Sequence, residues 1–543
     1  MKGSELVAEI LKREGTRHLI GFPHSELFDS AAALGIPPLI TRTERVAVNI
    51  AEGYARMTDG REPSVVTVQY GPGAENAFGA VAQAYSDRAP ILFLPTAYPR
   101  GSAAVAPNFD SGRNYRHVTK WCERAERVEQ LPQLLQHAFS RLRNGGPGPV
   151  LLELPIDVLE QDFPGKQFEY HPPRRAMPQA GEAEVSELVS RLVKARAPVI
   201  VAGQGIMFAQ AWKELRALAE QLHVPVLTTP NAKSAFPENH PLALGTGGKS
   251  RPASVDYFLA RADLIIGIGT SFTRSLYITP VPDGKAIIQI TIDEADLSKD
   301  YPIALGIIGD AGAVLRQILQ ELGSRTGPQP QPASENEIRK VRESFIHHWR
   351  PMLTADEEPI SPYRLISELM LVVDRERTVV THDAGHPRDQ VLPFYEAIVP
   401  HGYLGWGKTT QLGTGLGLIM GAKLARPEWL AVNIMGEAAF GMVGLDIETA
   451  VRCGLPILTI VLRNGLMGGY GRYMPVATDR YHANLLSGEY APIGEALGCY
   501  AECVNKPNEL NAALRRCIQA TQDARAALLE VITHEESRLA GII

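Results

Sequence analysis

Apolar residues in this chain fall into short unbroken runs that alternate with stretches of helical spacing. RHLIGFP, SVVTVQY, PILFLP and PVLLELP read as buried strands, while Ser4–Arg13, Ala47–Arg56, Ala77–Tyr85 and Leu131–Arg143 carry apolar residues at helical intervals. The Pro-rich KQFEYHPPRRAMPQAGEAE then has no period and reads as a linker. The alternation resumes with APVIVAGQG, PVLTTP, ADLIIGIG and AIIQITID, breaks again at GSRTGPQPQPASENE, and restarts near Pro362. Strand–helix alternation of this kind predicts parallel sheets covered by helices. The expectation is three doubly wound α/β domains over residues 1–165, 183–323 and 360–543.

The third of these holds the most informative stretch, Leu430 to Tyr470. LAVNIM and PILTIVL read as parallel strands, and Met442 to Cys453 has helical apolar spacing between them. Gly436-Glu437-Ala438 ends the first strand and Asn464-Gly465-Leu466 ends the second, where open parallel sheets place ligands. A carboxylate and an amide oxygen on neighbouring strand ends can grip one hard divalent cation, which takes its other oxygens from phosphates and water. Small residues beside Glu437 let backbone N–H groups approach a diphosphate.

Composition narrows the function classes. The chain has 543 residues, too many for one hydrophobic core. It is 45% hydrophobic and 21% charged, with a formal charge of −6, a globular balance that favours neither nucleic acid nor an anionic membrane as partner. No run reaches the length of a membrane span, and the opening MKGSELVAEILKREG is amphipathic rather than signal-like, so a cytoplasmic protein is expected. The five cysteines form no CxxC and read as free thiols.

The Leu430–Tyr470 stretch resembles the thiamine-diphosphate-dependent enzymes of the acetolactate synthase and pyruvate decarboxylase type, whose fingerprint is GDG followed at a distance by NN. The resemblance departs in reading GEA and RN. It implies pyrimidine-binding, central and diphosphate-binding domains in that order. It makes Glu437 and Asn464 side-chain ligands of Mg²⁺ and gives Leu466 a ligating backbone carbonyl. Gly436, Ala438, Ala439, Met467 and Gly468 then lie around the diphosphate. TRTERVAVNIAEGYAR resembles the family segment whose glutamate pairs with the aminopyrimidine ring, which makes Glu44 the catalytic carboxylate. A carboxyl in a dry site has its pKa raised and its pairing strengthened, which suits that role. Nothing but the pattern separates Glu44 from Glu52 on the same helix.

GPGAEN resembles the loop near the pyrimidine, through Gly71, Gly73 and Asn76, with Tyr70 trimming the pocket. VVTHDAGHPRDQ resembles a diphosphate loop, through Ala384, Gly385 and His386. In GWGKTTQLGTG, Leu412 takes the place of the residue that props the bent cofactor, followed by Gly413. His24, in GFPHSELFD, falls in a loop that often carries Gly in the family and is a candidate to reach the substrate; His382 and His386 are candidate proton carriers because their loop borders the cofactor. Lys120 resembles a position found in acetolactate synthases.

The resemblance implies a carboligase or decarboxylase acting on 2-oxo acids. A 2-hydroxyacyl-CoA or oxalyl-CoA lyase is the alternative, since AFGMVGLDIET resembles a run of those enzymes. A silent homologue that only binds is the reading from another class, prompted by GEA. The family also implies a homodimer or homotetramer with sites between chains. FAD or an adenine nucleotide in the central domain is left open.

Overall fold

The computed structural model describes residues 1–103, 105–165, 168–324 and 335–541. Three parallel sheets follow one another along the chain. The first comprises β1 (Leu19–Phe22), β2 (Pro38–Ile40), β3 (Val65–Val68), β4 (Leu92–Ala97), β5 (Trp121–Arg124) and β6 (Val150–Pro155), in the order β2-β1-β3-β4-β6-β5. The second holds β7 (Pro198–Ala202), β8 (Val226–Thr228), β9 (Ala243–Thr246), β10 (Leu264–Ile268), β11 (Ala286–Thr291) and β12 (Leu305–Ile308), in the order β12-β11-β10-β7-β8-β9. The third holds β13 (Thr378–His382), β14 (Leu430–Gly436), β15 (Leu458–Arg463), β16 (Tyr500–Val504) and β17 (Ala527–Ile532), in the order β13-β14-β15-β17-β16.

The central strands are buried at every position, as in β3, β4, β6 and β7. That is the pattern of parallel sheets with helices on both faces, and it explains why they read as continuous apolar runs. Edge strand β2 has one buried position and β5 none, and neither carries such a run. Residues 168–180 between the first two sheets have no regular structure, in keeping with a linker. Of the second linker, residues 325–334 lie outside the described residues, and Glu335 onward belongs to the helix Glu335–Leu353. Among the described residues no helix is long and apolar enough to cross a membrane.

The first and third sheets share one hydrophobic core, whereas the second has its own. The bridge is a pair of helices, Glu44–Met57 and Thr414–Ala425, each buried along nearly its whole length. Their backbones touch. A Cβ on Gly53 would lie 2.2 Å from the Leu418 carbonyl oxygen, and one on Gly421 would lie 2.1 Å from that of Ile50. Thr43 caps the first helix by accepting the Val46 N–H. Gly421→Ala is therefore expected to force the pair apart and cost about 1–3 kcal/mol. A lowered urea midpoint with unchanged slope would show it.

Candidate active site

The crossing of these two helices sets the first half of the site. Val46 lies over Gly417, so the start of the Glu44 helix sits beside the start of the Thr414 helix. Asp446 locks the junction, accepting the Arg42 N–H and the Thr43 hydroxyl, each at 2.8 Å. Arg45, next in sequence to Glu44, donates to the Leu412 carbonyl. The structure thus brings Glu44 to the Leu412–Gly413 segment within a single chain.

Glu44 is 5% exposed. Burial raises its carboxyl pKa, against which a hydrogen bond to its own backbone N–H and one with the Asn76 side chain act in part. The Glu44 carboxylate also faces Gly73, as the Pro72–Ser86 helix begins at the end of β3. Gly71 has φ of 62°, and a Cβ there would run into the Tyr98 hydroxyl. Tyr70 packs on Tyr98 as a tilted pair, ring centroids 4.9 Å apart, rather than standing free in the loop. The structure separates Glu44 from Glu52. Glu52 faces inward, 3.6 Å from Arg56, with neither oxygen hydrogen-bonded, and burial pushes its pKa up to about 8.

The second half is the clamp. β14 and β15 pair with Gly436 opposite Leu462, so the loops after them lie side by side. Glu437 Oε2 accepts the N–H groups of Asn464 and Gly465 at 2.9 and 3.1 Å. Glu437 Oε1 is buried with no partner, and the carboxyl is raised by burial. Asn464 Oδ1 accepts the Leu466 N–H at 3.0 Å and keeps one lone pair free for another partner. Among the described residues no group of three His, Cys, Asp or Glu could hold a metal. An unpaired buried carboxylate oxygen beside an amide oxygen suits Mg²⁺, which completes its shell with phosphate and water. Glu437, Asn464 and Leu466 would hold it.

The helix that follows departs from the periodicity. It starts at Glu437 rather than Met442, and a 3₁₀ turn at Gly444–Asp446 splits it from Ile447–Arg452. Ala438 and Ala439 belong to its first turn.

His386 reaches over the clamp loop, where a Cβ on Gly468 would come 2.7 Å from its Nδ1. Burial lowers its pKa. Ala384 and Gly385 precede it, and Met467 is tied by its N–H to Asn484 at 2.8 Å. His382 is placed otherwise than its role as a proton carrier requires. It is the last residue of β13, fully buried and stacked on Trp406 with centroids 5.4 Å apart. Burial pushes its pKa down to about 3, so the ring is neutral and serves the core. His24 is exposed after β1, with its loop beside the end of β3 through the Gln69 N–H to Phe22 carbonyl contact. Lys120 donates to the Asn144 and Gly146 carbonyls at 2.8 and 2.6 Å, a loop-closing role.

Sequence reasoning passed over Asp383. Its buried carboxylate accepts N–H groups from Ala384, Gly413 and Gly415, at 2.8, 2.8 and 2.9 Å. It ties the Ala384–His386 loop to the Leu412 segment, and burial raises its pKa to about 6. An Asp directly after a buried strand and before Ala-Gly was the available signal.

A cleft over the central sheet encloses about 1240 Å³ of empty space, its mouth included. Gln204, Gly205, Thr270 and Asp310 line it, with Arg88 from the first sheet's region and Lys408 from the segment before Leu412. Gln204 and Gly205, just after β7, form part of its wall.

A buried carboxylate at one end and a carboxylate-plus-amide oxygen pair fit for a cation at the other suit an enzyme whose cofactor spans two α/β layers. The comparisons give the family. "Thiamine pyrophosphate enzyme, N-terminal TPP binding domain" matches residues 1–122, the central domain of the same enzymes matches 185–318, and their C-terminal TPP binding domain matches 383–531. The chain belongs to the thiamine pyrophosphate enzymes and depends on thiamine diphosphate. It is 27% identical to a probable acetolactate synthase large subunit of Methanococcus aeolicus, covering 96% of this chain and 91% of that one. It is 27% identical to the acetolactate synthase isozyme 3 large subunit of Escherichia coli, covering 98% and 94%. A 2-hydroxyacyl-CoA lyase of Arabidopsis thaliana is 26% identical over 96% of this chain and 94% of its own.

Proposed function

We propose that this enzyme uses thiamine diphosphate and Mg²⁺ to break and form C–C bonds beside the carbonyl of a 2-oxo acid, as an acetolactate-synthase-like carboligase or decarboxylase. The observation that supports the reading is the pair of prepared ends: buried Glu44, joined to the Leu412–Gly413 segment through Arg45, and the Glu437–Asn464 clamp with its unpartnered buried oxygen; whether one chain or two completes the site is part of the proposal. When bound, thiamine diphosphate supplies a nucleophilic carbon and an electron sink for C–C cleavage. Glu437, Asn464 and the Leu466 carbonyl would hold the cation, and His386 with Gly468 would flank the diphosphate. Glu44, its pKa raised by burial, would hold a proton at the ring nitrogen.

The acetolactate synthase relatives support a 2-oxo acid as substrate. The central cleft, with Arg88 and Lys408 at its wall, suits the phosphates of FAD or an adenine nucleotide. The working unit is a homodimer or homotetramer, for which exposed Met442 on the clamp helix and Leu445 in the 3₁₀ turn after it provide apolar contact surface. Pyruvate and a 2-hydroxyacyl-CoA, offered separately to protein loaded with thiamine diphosphate and Mg²⁺, test the reading. Turnover of pyruvate is expected; turnover of the thioester alone would replace the first reading with the lyase, and no cofactor uptake would leave a silent homologue.

A further inference from the structure

Between Trp406 and Gly413 the chain runs as an irregular strap whose end carries Leu412; its two ends are tied to its own layer through His382 and Asp383, and its middle is fastened by the other layer. Asp87, the residue capping the Pro72–Ser86 helix, is fully buried. Its Oδ2 accepts the Gly407 N–H at 3.0 Å and its Oδ1 accepts the Lys408 N–H at 3.3 Å. Gln83, one turn earlier, donates its amide to Asp87 and accepts the Thr409 hydroxyl at 2.6 Å. Arg56 holds the Gly405 carbonyl just before the strap, and Arg45 holds the Leu412 carbonyl at its end. The strap is bent against its preferences: Thr410, a β-branched residue, has φ of 59°. Such a conformation persists only where its surroundings over-determine it, and such outliers cluster at ligand clamps.

We propose that Asp87, with Gln83, is a positioning residue for the ring end of the cofactor: it fixes the strap so that Leu412 stands as the wall against which the rings bend. This rests on the functional reading above. Asp87 touches neither Glu437, Asn464 nor His386, and the diphosphate cradle is fastened separately, through Glu437 to the Asn464 and Gly465 N–H groups. The two ends of the site therefore answer differently when Asp87 is changed. A carboxylate accepts from two N–H groups at once, whereas the amide of Asn turns an NH₂ towards one of them.

The test measures binding of thiamine diphosphate and of inorganic pyrophosphate, both with Mg²⁺, to the full chain by calorimetry. Asp87→Asn is expected to weaken thiamine diphosphate about tenfold or more and to leave pyrophosphate within about twofold, an unsatisfied N–H costing roughly 1–3 kcal/mol. Thr409→Val, at an exposed position, removes the Gln83 link without entering the core and is expected to shift thiamine diphosphate alone, by a smaller factor. It carries the test if Asp87→Asn does not fold. Unchanged thiamine diphosphate affinity in both variants, or equal losses for the two ligands, would overturn the assignment. A wild-type chain that binds pyrophosphate but no thiamine diphosphate would overturn the functional reading itself.

Discussion

Glu44→Gln is expected to take up thiamine diphosphate nearly as well as the wild type and to lose about 10²- to 10⁴-fold in turnover, the range that one positioned proton-transfer group supplies. The amide keeps the size and one donor of the carboxyl, so the contact with Asn76 and the packing over Gly73 survive. It cannot give up or receive a proton. Burial raises the Glu44 pKa, so the folded carboxyl keeps its proton to higher pH than a free one and releases it as pH climbs through that raised value. The wild-type rate should therefore show a titration above the ordinary carboxylate range, and Glu44→Gln should abolish it. Steady-state rates across pH, with cofactor binding measured on the same preparations, check both halves. Wild-type turnover in Glu44→Gln would remove Glu44 from the catalytic role.

What singles out Glu44 in the sequence is a long pattern, not local physics. Glu52 has the same charge on the same helix, and only the folded chain shows that one faces the Asn76 loop while the other is shut against Arg56. The clamp was more legible, because strand ends in a parallel sheet are where ligands collect and β14 and β15 are unmistakable apolar runs. Its helix was misread for a plain reason. Its first turn, Glu437-Ala438-Ala439, carries one carboxylate and two small side chains, so the buried face there shows only from Phe440 onward.

His382 shows the opposite error. Its residue type suggests proton transfer, yet it closes a strand buried at every position, so the fold puts it in the core whatever its chemistry. The residues that assemble the site left almost no trace in sequence. Asp383 reaches Gly413 and Gly415 some 30 residues away, and Asp87 reaches Gly407 from 320 residues away. Such contacts are made by packing the Glu44 and Thr414 helices backbone to backbone, which requires Gly53 and Gly421 and cannot be read from either segment alone.

Glu437→Gln is the change expected to separate cation binding from simple shape. Gln at this position keeps an oxygen for the Asn464 and Gly465 N–H groups, so the two loops stay together. What disappears is the charge on Oε1, the buried oxygen that has no partner in the protein. Removing one charged ligand from a site with so few protein donors should lower thiamine diphosphate affinity in Mg²⁺ about 100-fold, roughly 2.7 kcal/mol. It should also erase most of the difference between binding with Mg²⁺ and with a chelator. The pH dependence has a definite sign. Burial raises the Glu437 pKa, so part of the population is protonated below that value, and a cation must displace the proton. Affinity in Mg²⁺ should rise as pH increases through the raised pKa, with a proton released per cation bound, and Glu437→Gln should release none there. Calorimetry in two buffers of different ionisation enthalpy reads this directly. Equal proton release in wild type and variant would mean that the cation, if it binds, sits elsewhere than on Glu437.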